Sequence, residues 1–198
     1  MINVAIVEDV KTIRDGIKTI VDSSNELNCV EVFESFEDFL NYPNTDNIDV
    51  ILIDIILPGL SGIDGIKQLK KISNNSTIIV LTVYEENESI FEAIMAGASG
   101  YLAKNTNSTK MIQLISDAFN GKVSMNSFIA RKTINYLTKQ NELKSLSSSE
   151  NDVLNKLVEG QSLKAIEKSL EISVDQIKNY FNSIYNKLHE AHSIKLSS

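Results

Sequence analysis

Three carboxylates, a hydroxyl and an amine stand directly behind short apolar runs in the first part of this chain. Glu8 and Asp9 follow Val4-Ala5-Ile6-Val7, Asp54 closes Val50-Ile51-Leu52-Ile53, Thr82 follows Ile78-Ile79-Val80-Leu81, and Lys104 comes just after Tyr101-Leu102. Converging carboxylates repel one another unless a metal cation or a lysine compensates them. An all-oxygen ligand set of this kind suits Mg²⁺, which takes one or two carboxylates and keeps several waters. Phosphoryl transfer is the chemistry such a set supports. A carboxylate serves as nucleophile and forms an acyl phosphate. The metal and the lysine neutralise the phosphoryl oxygens, and the hydroxyl donates a hydrogen bond. The segment Glu8-Asp9-Val10-Lys11 carries no glycine-rich phosphate loop, so nucleotide binding is not expected.

These residues meet only if the runs are neighbouring strands. Three of the runs are apolar throughout, as for strands covered on both faces, and Cys29-Val30-Glu31-Val32-Phe33 is a further candidate. Between them Ile13, Ile17, Ile20 and Val21 recur at helical spacing, as do Ile90 and Ile94, and Met111, Ile115 and Ala118. The strands repeat at a spacing that suits right-handed βαβ crossovers. The expected fold is therefore a doubly wound, five-stranded parallel sheet, flavodoxin-like in order, with the ends of its first, third and fourth strands side by side. Cys29 lies in an apolar run and reads as a small core residue.

A chain of 198 residues, 42% of them hydrophobic, is long enough for two domains with real cores. One cysteine excludes an internal disulfide framework and a cysteine-based zinc site. No stretch has the length of a membrane span, and Met1 leads straight into a strand-like run, so a cytoplasmic protein with no membrane partner is expected. The net charge of −7 argues against a polyanion coat, yet it is unevenly spread. Residues 1–121 carry −10, residues 122–144 carry +4, and residues 145–198 carry −1. These steps suggest an α/β domain over 1–121, a helical linker over 122–144 and an all-α domain over 145–198.

The last segment reads as four helical pieces. Ser147 and Glu150 form a capping box ahead of Val153, Leu154, Leu157 and Val158, and Gly160 stops that helix. Leu163, Ile166 and Leu170 mark a second helix, and Glu171-Ile172-Ser173 a turn. Ser173 and Gln176 form another capping box, after which Val174, Ile177, Phe181, Ile184 and Leu188 share one face. Opposite them stand Asp175, Asn179, Asn182 and Asn186, with Lys178 beside. Two helices joined by a tight turn, the second long and capped, form the helix-turn-helix pattern. His189 and His192 lack further ligands at metal spacing and read as surface or interface residues.

Singly, each polar residue of the first domain has a plainer reading: Asp54 as a helix cap, Thr82 as a strand end, Lys104 as a surface lysine, Tyr101 as a half-buried anchor. Jointly, Glu8-Asp9, Asp54 with Leu57-Pro58-Gly59 and Gly62, Thr82, and Gly100-Tyr101 with Lys104 resemble the receiver domain of bacterial two-component response regulators. The resemblance implies that Asp54 accepts a phosphoryl group from a sensor histidine kinase or a small phosphodonor. It implies that Asp9, Asp54 and the backbone carbonyl of Ile56 hold Mg²⁺, with Glu8 acting through water. Thr82 and Lys104 would grip the phosphoryl group, and Tyr101 would switch with Thr82. A protein of this kind is no enzyme beyond catalysing its own phosphorylation and dephosphorylation. Two positions beyond Asp54 and Thr82 stand Ile56 and Tyr84, whose bulk suggests a long-lived phosphorylated form. Asn105 stands where many receivers place proline.

The tail resembles the LuxR-type DNA-binding domain, and the whole chain the NarL/FixJ class of response regulators. The matching residues are Leu146-Ser147, Glu150, Val153-Leu154, Glu159-Gly160, Lys164, Ile166, Leu170, Ile172-Ser173, Ile177-Lys178, Ile184 and Lys187-Leu188. By that resemblance the helix from Val174 enters the major groove of double-stranded DNA. Lys178, Asn179 and Asn182 are then its candidate contacts, with Lys164 on a phosphate, and phosphorylation would favour a homodimer. The tail departs from the family in Glu167, Tyr180 and Ile194 and carries little basic charge. A second reading is therefore a phosphorylation-controlled adaptor whose tail binds protein. A third, an aspartyl-phosphate enzyme, needs a second carboxylate close behind the nucleophile, where Ile55 and Ile56 stand.

Overall fold

The computed structural model describes residues 1–71, 76–83, 88–139 and 143–196. Its backbone divides into two compact units, Met1–Asn120 and Gly121–Ser198.

The first unit alternates strands and helices: β1 (Ile2–Val7), α1 (Lys11–Asp22), β2 (Leu27–Phe33), α2 (Phe36–Leu40), β3 (Val50–Asp54), α3 (Gly62–Lys71), β4 (Thr77–Thr82), α4 (Glu88–Ala96), β5 (Gly100–Ala103) and α5 (Ser108–Phe119). The strands form one parallel sheet in the order β2-β1-β3-β4-β5. The apolar runs become its central strands because helices cover both sheet faces. Val4, Ile6, Val50, Leu52, Ile79, Leu81 and Leu102 pack with Ile17 and Val21 of α1 and Met111 and Ile115 of α5. The alternate residues, Ala5, Val7, Ile51, Ile53, Ile78 and Val80, are buried towards the opposite face, where α3 and α4 pack together. The chain order reverses between β1 and β3, so the crevice beyond the strand ends opens there.

One glycine is required by a close approach at this crevice. A Cβ on Gly62 would overlap the backbone carbonyl oxygen of Asp54, and the Gly62 N–H donates to Ile55 O at 3.1 Å. The start of α3 is thereby pressed against the end of β3.

The second unit holds α6 (Ser127–Lys139), α7 (Ser148–Val158), α8 (Leu163–Leu170) and α9 (Val174–Leu196). The segment 145–198 thus contains three α-helices among its described residues rather than four pieces. From Val174 to Leu196 no glycine or proline interrupts the helix, so it forms one unbroken element. Both capping boxes form. Glu150 N donates to Ser147 Oγ at 3.3 Å and Ser147 N to Glu150 Oε2 at 2.6 Å. Gln176 N donates to Ser173 Oγ at 3.1 Å and Ser173 N to Gln176 Oε1 at 2.8 Å. The sharp turn between α8 and α9 puts Glu171 in the left-handed region at φ 55. Ile177, Phe181, Ile184 and Leu188 are fully buried, and Tyr185 joins them with its hydroxyl donating to Ser124 O at 2.8 Å.

Charge reads differently once the units are known. α6 packs against α7, so the basic stretch 122–144 belongs to the same compact unit as the tail. Residues 121–198 together carry 11 basic and 8 acidic side chains, a net of +3.

Candidate functional site

Glu8 and Asp9 leave β1 at its carboxyl end, Asp54 is the last residue of β3, and Lys104 follows β5. The sheet order brings them together. One carboxylate oxygen each from Glu8, Asp9 and Asp54 lies within 4.8 Å of the others. Glu8 is wholly buried, Asp54 nearly so, and Asp9 is exposed. The Lys104 ammonium is 2.6 Å from Glu8 Oε2 and donates to Asp54 Oδ2 at 2.9 Å. Backbone amides also serve the pocket, with Val10 N donating to Glu8 Oε1 and Ile56 N to Asp54 Oδ1, both at 3.3 Å.

Electrostatics follow from this geometry. Burial pushes the Glu8 carboxyl above the usual range, Lys104 pulls it back through a hydrogen bond, and the neighbouring Asp54 raises it further. Burial alone would lower the Lys104 pKa; the hydrogen bonds to Glu8 and Asp54 outweigh it and raise the value, so the ammonium stays charged.

Thr82 closes β4, is buried, and accepts the Lys104 N–H on its carbonyl at 2.8 Å. Tyr101 lies buried on β5. Asp54, Ile55, Ile56, Leu81, Thr82, Val83 and Lys104 line a cleft of about 130 Å³. That volume holds a phosphoryl-sized group and a few waters, and is small beside ordinary cofactor pockets of about 300 Å³ or more. Apolar side chains ring the mouth: Ile56 is 77% exposed and Val83 60%. Tyr84 lies outside the described residues.

One contributor has no signature in the sequence. Arg14 of α1 is 4% exposed. Its Nη1 donates to the backbone carbonyls of Glu8 at 2.7 Å and Asp9 at 3.1 Å, and its Nη2 donates to Glu34 Oε1 at 2.6 Å. A basic residue beside an apolar helix face reads as a solvated side chain, and its acceptors here are mostly main chain.

The donor set fits a hard divalent cation. It is all oxygen, converges within coordination range, and combines buried and exposed carboxylates. Cys29 is half-buried and its thiol is pushed up to about 11, chiefly by burial, which leaves it unreactive.

In the second unit Lys178, Asn179 and Asn182 share one side of α9, while Lys164 is exposed in the first turn of α8. Asn179 and Asn186 are exposed, but Asn182 is half-buried, and its amide nitrogen lies near Gly121. Asp175 does not stand alone at the start of α9: Lys122 pairs with it at 3.3 Å. Glu167 reaches across the turn and accepts from Val174 N at 3.3 Å. Glu150 is 2% exposed and pairs with Lys187 at 2.6 Å, tying the start of α7 to α9. Burial opposes its charge, but hydrogen bonds from Lys187 and the Ser147 amide hold its carboxyl below the usual range.

Over residues 4–116 the chain matches the response regulator receiver domain family, and over residues 144–196 the luxR family of bacterial regulatory proteins. It is 33% identical over 119 residues to the transcriptional regulatory protein YdfI of Bacillus subtilis (strain 168), covering 58% of this chain and 56% of that one. It is 30% identical over 115 residues to a nitrate/nitrite response regulator protein homolog of Haemophilus influenzae, covering 58% and 55%. The match thus spans about half the length of these curated relatives. Among solved structures, the response regulator ChrA of a heme-sensing two-component system superposes with a TM-score of 0.56 at 26% identity, covering 98% of this chain and 97% of that one. The RcsB response regulator of Salmonella typhimurium shares the fold, with a TM-score of 0.58 at 24% identity over 99% and 98% of the two chains. Among the described residues no helix is long and apolar enough to cross a membrane.

Proposed function

Because the chain belongs to the response regulator receiver domain family and ends in a luxR-family segment, we propose that it is a phosphorylation-controlled, DNA-binding transcription regulator. The observation that carries the reading is the bridge from Lys104 to Glu8 and Asp54 at the ends of strands drawn from across the sheet. It holds one nucleophilic carboxylate beside a fixed cation, at the mouth of a cleft of phosphoryl size.

In this reading a carboxylate oxygen of Asp54 attacks the phosphorus of a phosphodonor, a sensor histidine kinase or a small acyl phosphate. The bond from phosphorus to the donor atom breaks, and an acyl phosphate remains on Asp54. Lys104 stays charged and faces the transferred oxygens, and the Thr82 hydroxyl donates to one of them. Asp9, Asp54 and the Ile56 carbonyl, with Glu8 behind them, would hold Mg²⁺, which neutralises charge on the phosphoryl oxygens when bound. Catalysis extends only to the protein's own phosphorylation and dephosphorylation. Thr82 and Tyr101 relay occupancy of the pocket to the α4–β5 surface, a local charge change biasing a two-state element.

The output is a homodimer on double-stranded DNA, reading two half-sites in the cytoplasm. α9 enters the major groove with Lys178 and Asn179 at base edges and Asn182 at the flank, and Lys164 lies on a phosphate. The domain division 1–121, 122–144 and 145–198 goes with this reading, and the net +3 of residues 121–198 supplies charge that the tail alone lacks.

Duplex DNA shifted by the protein after treatment with acetyl phosphate and Mg²⁺, at rising salt, tests the output. The reading predicts binding that phosphorylation strengthens and that falls steeply with salt. Absence of binding at low salt would leave a protein-binding adaptor in its place.

A further inference from the structure

We propose that Arg14 is a positioning residue for the acidic pocket: its guanidinium fixes the backbone that aims Glu8 and Asp9 at the divalent-cation site. The proposal rests on the reading of Glu8, Asp9 and Asp54 as a cation-binding cluster.

Arg14 is the fourth residue of α1, and helical side chains lean towards the helix N-terminus. Its guanidinium therefore folds back over the loop that leaves β1. There one nitrogen, Nη1, bonds the carbonyls of two consecutive residues, Glu8 at 2.7 Å and Asp9 at 3.1 Å. Those carbonyls belong to the peptide planes that set the Cα–Cβ directions of the two carboxylates. On its other side Nη2 is held by Glu34 at 2.6 Å, just beyond β2. One planar group thus ties together the loop after β1, the loop after β2 and α1.

Helix stability alone does not call for this residue. A cation near a helix N-terminus opposes the macrodipole, and the N-cap residue Val10 makes no side-chain capping bond. A buried guanidinium also costs desolvation unless its donors are filled. Here Nη1 and Nη2 find backbone and carboxylate acceptors, and two of the three acceptors are the main chain of the acidic pair. A lysine would keep the charge but lose the rigid fork that serves both carbonyls and Glu34 together.

The test titrates Mn²⁺, another oxygen-seeking divalent cation, into the full chain and follows the bound ion by electron paramagnetic resonance, well below each variant's melting temperature. Wild type, Arg14→Lys, Glu34→Gln and Asp9→Asn are compared, with a thermal melt for each. Arg14→Lys weakens Mn²⁺ binding on the order of tenfold, the usual cost of removing a group that orients metal ligands. Glu34→Gln weakens it less, and Asp9→Asn abolishes it. A merely structural arginine would lower the melting temperature of Arg14→Lys and leave Mn²⁺ affinity untouched, which overturns the proposal. If Arg14→Lys does not fold, Glu34→Gln decides, and unchanged affinity there overturns it equally. A wild-type protein that binds no Mn²⁺ at this cluster overturns the reading of the pocket itself, an outcome distinct from loss of the Arg14 role alone.

Discussion

The Lys104 ammonium, carried behind β5, reaches past the end of β4 to the Asp54 carboxylate at the end of β3, 2.9 Å away. The same nitrogen lies 2.6 Å from Glu8. It is the fixed counter-charge of a pocket whose carboxylates otherwise repel one another.

Replacing Lys104 by methionine leaves Glu8 and Asp54 facing each other in a buried setting. Breaking a buried pair from one side typically costs about 3 kcal/mol or more. Lys104→Met therefore lowers unfolding free energy by about 3 kcal/mol in metal-free buffer. Millimolar Mg²⁺ should recover part of that loss, and recover more in the variant than in wild type. Urea melts with and without Mg²⁺ check this, and an identical Mg²⁺ response in both proteins contradicts it.

Gly62→Ala is expected to be severe for its size. The added carbon would overlap the Asp54 carbonyl oxygen, a backbone atom that cannot move without shifting the nucleophile. Overpacking of this kind costs about 3 kcal/mol. The variant should also acylate more slowly under conditions where it is still folded. Denaturant melts and acetyl phosphate time courses test the two effects separately.

The sheet and its pocket were legible because the pattern is one of residue type. Fully apolar runs ending in Asp9, Asp54 and Thr82 announce both the strands and what lies beyond them. The capping boxes at Ser147 and Ser173 were legible for the same reason, since each partner sits three residues away. What escaped depends on approach through space. Arg14 serves carbonyls that any residue carries, Lys187 meets Glu150 from 37 positions on, and Asn182 comes to lie near Gly121, 61 positions before it.

Ile56 stands at the mouth of the cleft, largely exposed, and its hydrocarbon side chain offers no hydrogen bond to an approaching water. A phosphorylated form that lasts well beyond seconds follows. Ile56→Asn supplies an amide that can orient the water, and phosphate release should quicken on the order of tenfold. Loss of acyl phosphate from purified protein, followed after removal of donor, gives the rate. A wild-type half-life of seconds contradicts the expectation.

Glu150 gives the helical unit an acid limit. Its folded pKa is depressed below the usual 4.5. The stabilisation is therefore present above about pH 4.5 and disappears as pH falls through the lower folded value. Glu150→Gln removes the charged partner of Lys187 and weakens the cap on Ser147, at a cost of about 2 kcal/mol near neutral pH. That difference from wild type should shrink as pH falls below about 4.5. Circular dichroism melts across pH follow it, and a mutant deficit that stays constant to low pH contradicts the assignment.

The most direct test of the central claim is the intact mass of the protein after incubation with acetyl phosphate and Mg²⁺. The account predicts a gain of one phosphoryl group, dependent on Mg²⁺, absent from Asp54→Asn, and mapped to Asp54 by peptide sequencing. Label that persists in Asp54→Asn, or no label under any condition, would contradict it.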